Sequence, residues 1–206
     1  RRRRIALGHI SKHTDVKTAE KQLRDYIGEE AEGLVARVIP LKLGYREKFW
    51  HKNCVAIGMS AGFVEPLEAS AIYLYDAAAK MLADQFPRTR NSMAYVEDKF
   101  NRSFTMRMIR TIDFIKLHYC VSDRDDSAYW RDNCSNKTIP AALQQRLLHW
   151  KEHPPTKYDF DYAWEPFNLD SYLYVLYGMK YQTTLLHNKD SFIYAEKAKA
   201  KFQDVQ

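Results

Sequence analysis

The 206-residue sequence has few cysteines, no long apolar run and little excess charge, and each shortage argues against a class of protein. Cys54, Cys120 and Cys134 are odd in number and lack paired spacing, so we expect free thiols in a reducing compartment, the cytoplasm. No apolar run approaches the ~18 residues that span a bilayer, so no membrane segment is expected. Arg1–Arg4 supply four of the net +6 charges, and the remainder gives no indication of nucleic-acid binding.

The sequence also lacks an initiator methionine and a secretory signal, so we expect it to begin within a longer protein. No metal site is expected, because His149 and His153 lie four residues apart without a carboxylate or a third ligand. Aromatic residues are abundant instead, with 14 Tyr, 10 Phe and 4 Trp. They suit either a tyrosine-rich core and surface or a pocket for a flat substrate.

The most informative stretch is residues 53–86, NCVAIGMSAGFVEPLEASAIYLYDAAAKMLADQF. A short apolar run of strand length leads into a Gly-Met-Ser-Ala-Gly turn. Pro66 then opens a helix whose apolar spacing continues to Phe86. Four small residues lie at the end of the strand: Gly58, Ser60, Ala61 and Gly62. They leave room for backbone N–H groups to approach a flat cofactor or an anion closely.

The remaining pattern predicts an α+β fold. Strand signals over residues 5–10 and 34–43 flank a predicted helix over residues 15–32. A long helix is predicted from Asn91 or Ser92 to Tyr119. Shorter helices are predicted over 139–150, 170–181 and 191–202, and irregular segments over 123–139 and 153–166.

The turn after the strand has more than one interpretation. It is either an ordinary core strand entering a core helix or a serine-hydrolase nucleophile elbow, since residues 58–62 fit G-x-S-x-G. Ser60 would then be the nucleophile, and its partners would follow in chain order: Asp159 or Asp161, then His187. However, the helix begins about one turn too late for an elbow. A non-catalytic helical module that binds aromatic ligands is a further alternative.

Residues 53–68 resemble, almost letter by letter, the pattern N-C-V-A-I-G-x-S-x-G-F-x-E-P-L-E-S-T-G of the flavin-dependent halogenases of the tryptophan halogenase family. Similar segments follow at Phe100-Asn101, Ile112 to Tyr119, Arg124-Asp125, Tyr129-Trp130 and Ser171 to Met179. The resemblance covers about residues 5–182. It implies the end of an FAD-binding α/β module over residues 1–66, with a halide loop at 58–62, and a mainly helical substrate module over 67–206.

The family resemblance implies electrophilic halogenation of an indole- or phenol-like substrate. In the family, reduced FAD supplied by a flavin reductase reacts with oxygen, and bound chloride or bromide becomes hypohalous acid. That acid travels through a tunnel to a lysine beside the aromatic ring. The family's G-x-G-x-x-G phosphate loop, its lysine and its W-x-W-x-I-P segment would all precede Arg1, so this chain alone is expected neither to bind FAD nor to halogenate. The oligomeric state stays open, a homodimer included.

The resemblance assigns the halide to Ser60 and the backbone of Met59, where neutral donors would hold it without binding it too tightly to react. Gly58, Gly62 and Phe63 would line the flavin edge. The small residues keep this site narrow. On spacing alone, Ser60 would be an ordinary turn serine.

Glu68 matches the catalytic glutamate of P-L-E, which orients the active halogen species and takes the proton lost in substitution. The helix dipole would also favour an acidic residue at this position, so the motif carries the assignment. His118 matches the histidine that stacks on the substrate ring, and Phe167 aligns with the aromatic residue on its other face. Glu65 is predicted to be structural.

Two departures from the family pattern bear on the substrate. Ala69-Ser70-Ala71 replaces the Ser-x-Gly that links the flavin and substrate sites. Tyr162 and Ser171 occupy the substrate-binding positions where free-tryptophan halogenases carry a glutamate and an asparagine. An indole, a phenol or a carrier-bound aromatic is therefore as compatible with the sequence as free tryptophan.

Overall fold

The computed structural model describes residues 5–162, 165–184 and 200. The fold is α+β, as the sequence predicts, with helices dominating and β-structure confined to short antiparallel ladders. The described α-helices are α1 Val16–Ile27, α2 Ser70–Gln85, α3 Arg90–Cys120, α4 Ala128–Cys134, α5 Ala141–Glu152 and α6 Leu169–Gly178. Short 3₁₀ turns lie at Gly28–Ala31, Gly58–Ser60, Leu67–Ala69, Asn136–Thr138 and Lys157–Asp159.

The strands surround the turn that the sequence analysis singled out. They are β1 Gly44–Tyr45, β2 Trp50–His51, β3 Cys54–Val55 and β4 Gly62–Phe63. In one ladder, β1 pairs antiparallel with β4 and Gly44 lies opposite Phe63. In the other, β2 pairs antiparallel with β3 and Trp50 lies opposite Val55. The turn at 58–60 therefore lies between two strands that belong to different ladders.

Helix α3 is the scaffold, because its 31 residues contribute to two hydrophobic cores. Apolar residues at helical spacing bury its first half against β2 and α2: Val96, Phe100, Phe104 and Met108. Phe114 and Leu117 bury its second half against α5 and α6. A single side chain ties α3 to β2, since the Asn101 amide oxygen accepts from the Phe49 and Trp50 N–H groups, each at 2.8 Å.

The predicted strands over residues 5–10 and 34–43 do not form in this chain, where both segments are irregular. Neither has a partner strand among the described residues, and an extended segment without one leaves its backbone groups unpaired. Much of their apolar surface is exposed, and Val35 is 93% accessible. The segment 123–139, predicted to be irregular, instead contains α4. The Ser127 side chain caps that helix by accepting from the Trp130 N–H.

The predicted helical boundaries hold elsewhere to within a few residues, except at Pro66. Helix α2 begins at Ser70 rather than at the proline, because Glu68 and Ala69 adopt left-handed backbone conformations. The predicted helix over residues 191–202 lies outside the described residues. No helix within the described part of the chain is long and apolar enough to cross a membrane.

Candidate functional site

The turn at residues 58–60 closes on itself through hydrogen bonds. The Ala61 N–H donates to the Gly58 carbonyl at 3.0 Å, and Gly58 adopts a φ of +65° that favours glycine. The Ser60 hydroxyl donates to the Ile57 carbonyl at 2.7 Å. Ser60 can therefore offer its proton to a halide only by releasing that carbonyl. The Met59 side chain points outward and is 68% exposed.

A cation that the sequence analysis missed lies beside this turn. Arg46 Nε donates to the Ser60 carbonyl at 2.5 Å. Its backbone N–H donates to the Ala61 carbonyl at 2.9 Å, next to the ladder of β1 and β4. An anion at the turn would thus have a guanidinium close by. No sequence signal distinguishes Arg46 from the other arginines, because its role depends on how β1 approaches β4.

A cavity of about 610 Å³ opens on this turn, between residues 40–46 and 59–63. It contains Met59, Ser60, Gly62 and Phe63, which the sequence resemblance assigned to the halide and the flavin edge. Small side chains and backbone suit contact with the edge of a flat ring. The chain has no G-x-G-x-x-G loop to hold a diphosphate. The residues present therefore fit the ring edge of FAD and not its phosphates.

Glu68 lies in the strained segment between the turn and α2. Its φ is +63°, and that of Ala69 is +49°. Left-handed conformations cost non-glycine residues roughly 1–2 kcal/mol each. Strain of this kind concentrates at functional sites, where surrounding contacts hold it in place. The pattern after Pro66 predicted that Glu68 lies in a first helical turn, so its left-handed backbone conformation is a feature that the sequence did not predict.

A direct hydrogen bond joins Glu68 to His118, although 50 residues separate them. The His118 Nε2 atom lies 2.9 Å from Glu68 Oε1, and its Nδ1 atom lies 2.9 Å from the Phe114 carbonyl oxygen. The His118 side chain is 20% exposed and that of Glu68 is 38% exposed. The structure thus brings together two residues that the sequence assigned to the same site.

Glu65 forms a second attachment to the same end of α3. The Tyr119 hydroxyl donates to Glu65 Oε1 at 2.6 Å. Burial, and then the bond to Glu65, raise the pKa of Tyr119 well above its ordinary value, so the phenol remains a donor. The two carboxylates of the motif therefore bind adjacent residues of α3. This arrangement agrees with the structural role predicted for Glu65 and fixes the backbone that carries Glu68.

Phe167 lies near His118 through a shared neighbour. The rings of Phe167 and Phe114 stack with centroids 3.9 Å apart and planes 21° apart. The same Phe114 ring meets His118 edge to face, with centroids at 4.9 Å. Both residues predicted to hold the substrate ring thus contact Phe114, which the sequence analysis treated only as part of a helical stripe. Phe114 is 2% exposed, so it supports the His118 and Phe167 side chains by packing and is not itself open to a substrate.

Ser171 forms hydrogen bonds within the first turn of its own helix. Its backbone N–H and its hydroxyl both lie 3.1 Å from Asn168 Oδ1, in the first turn of α6. Tyr162, the other residue that the resemblance aligns with the substrate's amino-acid end, is 45% exposed. Tyr162 and Phe167 line one cavity of about 410 Å³ together with Glu165, whose carboxylate is almost fully buried beside Arg110.

His118 opens on a different space, which we call the aromatic cavity. It measures about 670 Å³, and its aromatic lining is His9, His13, His118, Tyr119, Tyr129 and Trp130. The Arg124 guanidinium lies 4.3 Å from the Trp130 ring and pairs with Asp126. The sequence analysis did not anticipate this cavity, because residues 7–14 complete its wall without any recognisable motif.

No observation favours the serine-hydrolase interpretation. The hydroxyl of Ser60 donates to a carbonyl, and both candidate acids have other partners. Asp159 accepts from the Trp150 indole at 3.2 Å, whereas Asp161 pairs with Arg110 at 2.5 Å. His187 lies outside the described residues. His149 and His153 stack at 5.0 Å, and within the described residues no group of three potential ligands could hold a metal.

Comparison with known proteins gives one consistent result. Residues 2–191 match the sequence model of a family described as tryptophan halogenase. Among curated proteins, the chain is 34% identical over 154 residues to the tryptophan 6-halogenase SttH of Streptomyces toxytricini. That match covers 74% of this chain and 29% of the relative.

Solved structures give the same result. The structure of a tryptophan halogenase from Shewanella frigidimarina NCIMB 400 superposes with a TM-score of 0.82 at 40% identity, over 86% of this chain and 34% of that one. BrvH, a flavin-dependent halogenase from Brevundimonas sp. BAL3, superposes with a TM-score of 0.79 at 31% identity, over 94% and 38%. The chain therefore spans only about a third of the length of these relatives.

Proposed function

The chain belongs to the tryptophan halogenase family, and on that premise we propose that it forms the substrate-side part of a flavin-dependent halogenase acting on an aromatic ring. The observation that carries this proposal is the conformation of Glu68. Its carboxylate is held by a strained turn and by His118, a residue that lines the aromatic cavity. A carboxylate in that position suits a reaction that develops positive charge on a ring and releases a proton.

The proposed reaction divides between the cofactor and this chain. Reduced FAD would be supplied by a flavin reductase. Together with oxygen and chloride or bromide, it would provide the electrophilic halogen. Glu68 orients that species and takes the ring proton, so that the electron pair of the broken C–H bond restores aromaticity. His118 and Phe167 position the ring, with Ser171 near its far end. Phe114 contacts both side chains and links them, with His118 lining the aromatic cavity and Phe167 lining the cavity of about 410 Å³.

The halide and the flavin edge belong, in this proposal, to the turn at 58–62. Ser60 and the Met59 backbone hold the halide, and Gly58, Gly62 and Phe63 lie against the ring edge. The cavity of about 610 Å³ beside this turn supports the assignment. Residues 1–66 would form the end of the flavin-binding module, and residues 67–206 the substrate module.

The proposal also covers the residues that bind the FAD phosphates, the cellular compartment and the substrate class. Other residues of the complete halogenase would bind the FAD phosphates, because the 206-residue sequence lacks the glycine-rich loop. The three cysteines are free thiols, which supports a reducing compartment such as the cytoplasm. The substrate is an indole, a phenol or another aromatic. Tyr162 and Ser171 offer no carboxylate to an amino-acid end.

Glu68→Gln in the complete protein is the direct test. We expect the rate of aryl halide formation to fall by roughly 10²–10⁴-fold, the range for lost acid–base catalysis, while FAD remains bound. Glu65→Gln is the matched control, because a glutamine at 65 still accepts from Tyr119 and the turn keeps its attachment. Product formation by Glu68→Gln at the rate of the unmodified protein would contradict the proposal.

A further inference from the structure

The two hydrogen bonds of the His118 ring indicate which of its nitrogen atoms carry a proton. The Phe114 carbonyl oxygen can only accept, so the Nδ1 atom 2.9 Å away must carry a proton. A neutral imidazole protonated at Nδ1 would then present a bare Nε2. That atom lies 2.9 Å from Glu68 Oε1. If Glu68 were an ordinary carboxylate, two acceptors would face each other without a proton between them.

We propose that His118 and Glu68 form one unit with a shared proton, in which the His118 imidazolium fixes Glu68 as an oriented carboxylate. This inference rests on the proposed function for its catalytic meaning, and it makes His118 a positioning residue for Glu68. Nε2–H holds Oε1, and Oε2 is left to face the reacting ring. The stacking role of His118 uses the faces of its ring, whereas these bonds use its edge.

The location of the shared proton decides whether Glu68 can act as a base. In the ionised form, the ring C–H bond breaks, its electron pair returns to the ring, and the proton moves to Oε2. If the proton were instead on Glu68, the carboxyl group would already be neutral and would be a poor acceptor. A partner that is protonated at both ring nitrogens therefore keeps the base in its active form.

The surroundings of His118 explain why it can hold Glu68 in one position. A free glutamate side chain loses roughly 1.5–2 kcal/mol of rotamer entropy when it is ordered, so a fixed partner is useful. His118 is fixed by its Nδ1 bond on α3 and by the edge-to-face contact with Phe114. The Nδ1 bond also prevents proton transfer through the ring, because a carbonyl cannot take a proton. The proton accepted at Oε2 must therefore leave from Glu68 itself.

The other ionisable groups near this unit have partners of their own. They are Glu65 with Tyr119, Arg124 with Asp126, His13 with Asp132, and His9 with the Thr14 carbonyl. Lys116, one turn before Tyr119 on α3, donates a hydrogen bond from Nζ to the Asn133 carbonyl at 2.8 Å. Among the described residues, His118 is thus the ionisable group that contacts Glu68.

The proton count can be measured without any activity. In the chain labelled with ¹⁵N-histidine, we expect both ring nitrogens of His118 to be protonated at neutral pH, with the signals assigned by their loss in His118→Gln. Glu68→Gln should remove the Nε2 proton, because the glutamine amide can donate to that nitrogen. A His118 ring with one proton, unchanged by Glu68→Gln, would overturn the proposal.

The kinetic consequence separates positioning from stacking. In the complete halogenase, His118→Phe keeps a flat ring but no donor, so we expect kcat to fall by about 10²-fold while KM changes little. His118→Gln keeps a neutral donor to Oε1, so it should recover part of that loss.

The outcomes distinguish this inference from the proposed function. If His118→Phe forms product at the unmodified rate, the protein is a halogenase and the positioning role is wrong. If His118→Gln loses as much kcat as His118→Phe, His118 is merely structural. If the complete protein forms no aryl halide while His118 carries both protons, the unit exists and the proposed function fails.

Discussion

At the scale of single residues, Asp113 is a described carboxylate in an unfavourable environment for its charge. It lies within α3 and is 1% exposed. Its nearest cation, Arg110, is 3.8 Å away, and its Oδ2 atom accepts no hydrogen bond from another described residue. Burial raises the pKa of Asp113, and the attraction of Arg110 and Arg146 only partly offsets it. The ion pair therefore compensates only part of the desolvation cost.

A pH dependence of stability follows from Asp113. Because its pKa is higher in the folded chain than its ordinary value of 3.8, the folded state binds more protons between the two values. The free energy of unfolding should therefore lose a contribution as the pH rises from about 4 through the raised pKa. Asp113→Asn should remove this part of the pH dependence, as measured by urea unfolding at several pH values.

The matched control for Asp113 is Asp76→Asn, on the surface of α2, where the side chain is 58% exposed. That substitution should leave the slope of stability against pH close to that of the unmodified chain. If Asp113→Asn and Asp76→Asn give the same slope, burial does not govern Asp113.

Ala69 provides a second prediction at this scale. Its φ of +49° is unfavourable for alanine and open to glycine, so Ala69→Gly should relieve strain. After the entropy that glycine loses on folding, we expect a gain of about 0.5–1 kcal/mol in unfolding free energy. Ala79→Gly, at an exposed position within α2, should instead cost about 1 kcal/mol. Equal losses in both variants would show that Ala69 is not strained.

At the scale of elements, the close approach of β1 and β4 explains Gly62. A Cβ atom at position 62 would lie 2.6 Å from the Cβ of Tyr45 and 2.9 Å from the Gly44 carbonyl oxygen. Glycine is thus required here by the ladder, whether or not a flavin also approaches. The same ladder brings Arg46 next to the Ser60 carbonyl.

Gly62→Ala should therefore force β1 and β4 apart. We expect a loss of roughly 1–3 kcal/mol in unfolding free energy, as for other overpacked sites. Gly178→Ala is the control, because nothing lies within 4 Å of a Cβ there and the residue ends α6. It should change stability by less than about 1 kcal/mol, in the stabilising direction. A Gly62→Ala chain as stable as Gly178→Ala would contradict the close packing.

The elements also show what sequence reasoning can and cannot predict. Helices α2 and α3 could be predicted because their apolar residues recur at helical spacing within one segment. Residues 34–43 alternate like a strand, but a strand needs a partner that local sequence does not reveal. The left-handed turn at Glu68 was missed, because an acidic residue after Pro66 is also typical of a first helical turn. Its bond to His118, 50 residues away, could be approached only through the family motif.

At the scale of the whole molecule, one side of the chain is unusually apolar and exposed. Residues 34–43 expose several large side chains, each more than half accessible: Leu34, Val35, Val38, Ile39, Leu41 and Leu43. Residues 40–43 also line the cavity beside the halide-loop turn, where Met59 is exposed. Many large apolar side chains exposed along one short segment are typical of an interface. Under the proposed function, the rest of the flavin-binding module would cover this surface.

Hydrogen exchange can test this arrangement. Residues 35–43 make no backbone hydrogen bond to another described residue, so their amides should exchange rapidly in the 206-residue chain. In the complete protein the same amides should become protected, because an added strand would pair with them. Amides of α3 around Phe104, which is 2% exposed, are the internal control and should be slow in both. Rapid exchange of residues 35–43 in both proteins would mean that this segment is not part of the flavin-binding sheet.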